Sequence, residues 1–140
     1  MSETSIDKTR RRLCSLFDLY DFKYQYSFFF PDGIEPDYFL EQYSKIKRSL
    51  GRKYSQPILL KVNLSAKREL HAYITMYAEQ PLEEFKTFME SRFPGVAKSR
   101  VLTSEKIEST LRTINNQKPH NLNSYFKKNK VNRYSMLNGV

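Results

Sequence analysis

The run PILLKVNLSAKRELHAYITMYA, residues 57–78, alternates with period two on both sides of a short polar break. Ile58, Leu60, Val62 and Leu64 fall on one side of an extended chain, with Lys61 and Asn63 on the other. After Ser65 to Glu69, the same rhythm resumes. Leu70, Ala72, Ile74 and Met76 share one face, and His71, Tyr73, Thr75 and Tyr77 share the opposite one. Side chains of a strand alternate in this way, so the run is a hairpin with one apolar and one polar face.

Helical spacing flanks it. Upstream, Phe39, Tyr43, Ile46 and Leu50 recur at the helical interval from Pro36 onward, and Gly51 is the expected stop. Before that, Phe22, Tyr24, Tyr26, Phe28 and Phe30 alternate with Lys23, Gln25, Ser27 and Phe29 as a strand, closed by Pro31-Asp32-Gly33. Ile6 to Tyr20 reads as a first helix carrying Arg10, Arg11 and Arg12. Downstream, Pro81 is expected to open a helix with Glu83 and Glu84 in its first turn and Leu82, Phe85, Phe88, Met89 and Phe93 on its buried stripe. A short strand over Ser99 to Thr103, a helix capped by Ser104, a short helix over Leu122 to Lys128 and an edge strand within Val131 to Val140 complete the reading.

Without the first helix the order is βαββαβ. That predicts an α+β fold, a ferredoxin-like antiparallel sheet with helices on one face and extra N- and C-terminal helices. The length of 140 residues suits a single domain, 1–140, read as the N-terminal module of a longer protein.

The polar face of that sheet would be open. It offers Lys61, Asn63, His71, Tyr73, Thr75 and Tyr77. Rings can stack on bases while ammonium groups meet phosphate, which makes a nucleic-acid platform. The competing reading folds the last helices back over this face and makes its tyrosines filler. Charge favours a polyanion: 24 basic residues against 15 acidic ones, a formal +9. Lys98 to Val140 holds nine basic and two acidic residues, so the excess is concentrated there. Within it, Asn121, Asn123, Lys127, Lys128, Lys130, Asn132 and Arg133 surround Tyr125 and Tyr134. Amides can contact base edges and cations can neutralise phosphate, with a salt-dependent affinity.

Other classes fit poorly. One cysteine, Cys14, allows no internal disulfide and points to a reducing, cytoplasmic setting. No apolar run is long enough for a bilayer. The two histidines, His71 and His120, and the single cysteine make no zinc set, and the four glycines are scattered. No cofactor is expected.

With these residues in view, residues 56–135 resemble the replication-initiator domains of the HUH endonuclease family, found in phages, plasmids and phage satellites. His71-Ala72-Tyr73 stands where that family carries a His-hydrophobe-His metal motif, and Tyr125-Phe126-Lys127-Lys128 resembles its tyrosine helix. Asn132-Arg133-Tyr134-Ser135 is similar to a run found after that helix in some initiators. The resemblance implies a ferredoxin-like, origin-type DNA-binding domain. It also implies Tyr125 as a nucleophile and His71 as a ligand for a divalent metal, the one case calling for a cofactor. Tyr73 departs from the pattern, since a phenol is a poor replacement for an imidazole on such an ion.

The reading is therefore sequence-specific DNA binding, to duplex or hairpin, rather than catalysis. Arg10, Arg11, Arg12, Lys61, Lys127, Lys128, Lys130 and Arg133 would meet phosphate. Asn63, Tyr73, Asn121 and Asn123 would add polar and stacking contacts. The alternatives are an active tyrosine nickase, a single-stranded RNA module, and a protein-interaction or inhibitor domain. A catalytic C-terminal domain is the expected further partner.

Overall fold

Apolar residues at every second position along three chain segments produce a sheet that can bury one face completely. The computed structural model of the protein describes residues 5–66, 69–115 and 134–139. Nine elements are present among them: α1 (Ser5–Leu19), β1 (Tyr24–Phe29), α2 (Pro36–Lys53), β2 (Ile58–Ala66), β3 (Leu70–Ala78), α3 (Phe85–Arg92), β4 (Val96–Val101), α4 (Ser104–Asn115) and β5 (Tyr134–Leu137). The sheet has five strands in the order β4-β1-β3-β2-β5. All neighbours are antiparallel. This is the expected α+β, ferredoxin-like βαββαβ sheet, extended beside β2 by the edge strand foreseen in residues 131–140.

The apolar face packs against α2 and α3. Phe28, Ile58, Leu60, Ile74 and Met76 of the sheet meet Phe39, Ile46, Leu50 and Met89 of the helices in one buried cluster. Rings supply much of the interdigitation: Phe28 stands edge-on to Phe30 at 5.3 Å, and Phe30 edge-on to Phe39 at 5.2 Å. Such contacts add to the area term. The β5 strand is tied to this layer from both ends. Ser135 Oγ lies 3.0 Å from Tyr43 Oη, and Asn138 Nδ2 donates to the Tyr54 carbonyl at 2.8 Å.

Several element boundaries differ from the sequence reading, each for a visible reason. Gly51 does not stop α2, which continues to Lys53 before Tyr54 turns extended. Pro81 does not open α3. The chain from Gln80 to Glu84 is held out of the helix by tertiary bonds: Leu82 N–H donates to Tyr26 Oη at 2.7 Å, and Tyr54 Oη donates to the Glu83 carbonyl at 2.6 Å. Glu84 then takes a left-handed conformation, φ 61°, and the helix begins at Phe85. Leu82 is buried, but ahead of the helix. Of the strand expected over 99–103, only residues 99–101 are extended, as the end of β4, which starts at Val96 because Phe29 offers it a partner there. At α4 the cap is Thr103, whose Oγ1 accepts the Lys106 N–H at 3.3 Å, rather than Ser104. The helix expected over 122–128 lies outside the described residues.

The Tyr26–Leu82 bond yields a stability test. Tyr26→Phe leaves the Leu82 amide buried without a partner, which costs about 1–3 kcal/mol. Urea unfolding should show the loss as a lower midpoint at unchanged slope; an unaltered midpoint would mean that water replaces the phenol.

Candidate nucleic-acid interface

Strand register lays out the second face of the sheet in rows. The first row runs Val96, Phe29, Tyr73, Asn63 across β4, β1, β3 and β2. The second runs Lys98, Ser27, Thr75, Lys61 and reaches Tyr134 of β5. The third runs Arg100, Gln25, Tyr77, Leu59, Met136. The rows contain no carboxylate.

Helices close only the third row. Leu13 and Phe17 of α1 and Ile107 of α4 gather over Leu59, Tyr77, Phe22 and Leu102 in a second apolar cluster. Tyr77 is buried there, with Phe17 edge-on at 4.9 Å. The expectation of a fully open face is thus corrected: Tyr77 is packing material, because α1 supplies an apolar stripe that needs a cover. Phe22, read as part of the β1 core face, also belongs to this second cluster.

The first row stays accessible among the described residues, and the second only in part, since Thr75 at its centre is buried. At the centre of the first row Phe29 and Tyr73 stack on each other, centroids 5.0 Å apart and planes 22° from parallel. Each is 37% exposed, although large rings on a sheet are normally covered. Lys98 Nζ stands 5.4 Å from the Phe29 centroid, a cation over an aromatic face. Across the sheet, Lys61 lies beside Thr75 and Tyr134 and is half-buried. Asn63 Nδ2 donates to Thr75 Oγ1 at 2.9 Å, which fixes its amide and leaves the carbonyl oxygen as an acceptor. Arg100 sits further down, forked onto Gln25 Oε1 at 2.8 and 3.0 Å.

Burial pushes the Lys61 ammonium below its ordinary pKa. The folded chain therefore releases this proton at a lower pH than the unfolded chain. Between the two values the unfolded state holds more protons, so stability climbs with pH across a window below about 10.4. At neutral pH the full cost of keeping the charge is present. Lys61→Met should accordingly raise the melting temperature at pH 7, by an amount that shrinks toward pH 10, while weakening any nucleic-acid complex. A variant that loses stability instead would show Lys61 to be structural.

Other sequence candidates fall in different places. Arg10, Arg11 and Arg12 are on α1, on the same side of the sheet as these rows. His71 Nδ1 lies 2.8 Å from Asp32 Oδ1, in the turn after β1. No group of three His, Cys, Asp or Glu suited to an ion forms among the described residues. Where the resemblance would call for a second metal-binding imidazole the chain carries the phenol of Tyr73, so His71 and Tyr73 are a poor fit to a divalent metal. Tyr125, Asn121, Asn123, Lys127, Lys128, Lys130 and Arg133 lie outside the described residues.

Phe29, Lys98 and Val96 were not singled out by sequence reasoning. The signal was present in Phe28-Phe29-Phe30: in a period-two strand, three successive phenylalanines must send one to the polar face. No described helix is long and apolar enough to cross a membrane. No family model, curated protein or solved structure matches the chain.

Proposed function

We propose that this chain is a DNA-binding domain that holds an unpaired stretch of strand on the open rows of its sheet. The observation that carries the reading is the Phe29–Tyr73 stack, exposed at the centre of a carboxylate-free surface and bracketed by Lys98 and Lys61. Stacked rings present a flat apolar face that any base can extend, and lysines on either side suit the backbone. Asn63 offers an acceptor beside Tyr73 for a base edge. Arg11 and Arg12, exposed on α1, would lengthen the cationic track, and the basic residues of the sequence between 116 and 133 add to the chain's attraction for phosphate.

A flat ring pair supports unpaired bases better than the duplex expected from sequence, because base pairs keep their faces stacked internally. The origin-type role implied by the initiator resemblance is the specific form of this proposal. Nicking is not part of it, since the residues around His71 do not fit a metal.

Fluorescence anisotropy with single-stranded DNA, its duplex and the matching RNA tests the reading. Single-stranded DNA should bind tightest, and log affinity should fall with log salt by about 0.7 per phosphate neutralised. Duplex preference, or no salt dependence, would overturn the single-strand assignment. Equal RNA affinity would make it a general single-strand module.

A further inference from the structure

On the opposite side of the molecule, where α2 and α3 cover the sheet, a second cationic feature is present. Lys45, Arg48, Ser49 and Arg52 occupy positions i, i+3, i+4 and i+7 of α2, so they share one helix face. Arg92, the last residue of α3, meets them from the side, and buried Phe93 adds to the lining. Together they line an open depression of about 520 Å³.

Four cations and no carboxylate line this space. Glu41, one turn before Lys45, is the only ion-pair partner among the described residues for any of the four, at 3.0 Å. Arg92 already has a partner on this side, its guanidinium carbon 4.6 Å from the centre of the Phe88 ring, which restricts the donor fork before any ligand arrives. Cations near helix C-termini commonly complement the backbone dipole, and that accounts for Arg52 and Arg92. It does not account for Lys45 and Arg48, more than a turn from the end of α2, facing the same hollow. Like charges gathered around a depression repel until an anion enters. Guanidinium groups match phosphate oxygens two at a time. The volume falls in the range of small-ligand sites rather than that of a single ion.

We infer that the pocket between α2 and α3 is a binding site for clustered phosphates, separate from the sheet surface. The phosphates could come from a free polyphosphate compound or from the backbone of a polynucleotide; the chemistry recognised is the same.

Calorimetric titration of the full chain with inorganic tripolyphosphate, in a chloride buffer of about 0.05 M, reads the site while screening is weak. Saturable binding at one site is expected. Arg48→Gln with Arg52→Gln should weaken it about tenfold or more, two charge-assisted contacts being lost. Phe29→Ala with Tyr73→Ala should leave it unchanged, so failure here is independent of the sheet proposal. Both arginines are exposed, and a thermal melt confirms that the variant folds. Absence of saturable binding to the wild type, or equal binding by the arginine variant, overturns the inference. Competition by a short oligonucleotide in the Phe29→Ala/Tyr73→Ala background identifies a polynucleotide backbone as the source; lack of competition identifies a free polyphosphate.

Discussion

Replacing Phe29 and Tyr73 together with alanine is expected to weaken single-stranded DNA binding by about two to four orders of magnitude. Each base stacked on an aromatic ring contributes about 1–3 kcal/mol by alanine substitution. A tenfold change in affinity corresponds to about 1.4 kcal/mol. The rings also touch each other, so the two losses will not be additive: the first alanine already removes the neighbour that orients the second ring. The single variants should each therefore show more than half of the double variant's loss in free energy. Both side chains are more than one-third exposed and outside the buried clusters, so the melting temperature should change little. Anisotropy titration beside a thermal melt separates the two effects. Wild-type affinity in the double variant would remove the sheet from the binding site altogether.

The largest stability loss is expected at Gly95, just before β4. A Cβ there would overlap the Phe29 carbonyl oxygen and lie 2.7 Å from the Phe28 ring. The ring is fully buried and edge-on to Phe30, so it has nowhere to rotate, and the carbonyl belongs to a strand bonded on both sides. Overpacking against a fixed backbone belongs at the upper end of its usual range, about 3 kcal/mol. Against a typical total of about 5–15 kcal/mol that is a large fraction, and the melting temperature of Gly95→Ala should fall by roughly 10 °C. Adding Phe28→Leu should not restore it, since the carbonyl remains. A double variant that recovers wild-type stability would place the strain in the ring instead. Because the displaced atom belongs to Phe29, Gly95→Ala should also lower DNA affinity.

The β-rich centre of the fold was legible because period two in the sequence is unambiguous from Ile58 to Leu64 and from Leu70 to Ala78, although burial departs from it where the second face is also covered, at Leu59, Thr75 and Tyr77. Helix α2 was legible for the same reason. What sequence could not carry was information held by distant partners. Pro81 looks like a helix start until the Tyr26 hydroxyl, more than fifty residues earlier, is seen to hold the Leu82 amide. Tyr77 and Tyr73 are indistinguishable on the strand; only the arrival of Phe17 from α1 buries one and leaves the other open. The α2–α3 pocket is similar: Lys45, Arg48 and Arg52 read as an ordinary solvated helix face until Arg92 is brought beside them.

The order of strands has a kinetic consequence. Only β2 and β3 join through a local turn; β1 meets β4 through Tyr24 and Val101, and β5 meets β2 through Leu137 and Ile58. Long loops must close before those outer ladders return any free energy, which slows folding relative to helical chains of the same size. The hairpin would condense early and the margins of the sheet late. Phe29 and Tyr73 come from strands far apart in the chain, so their stack cannot exist in the isolated hairpin, and ligand capture should lag behind the first gain of secondary structure during refolding.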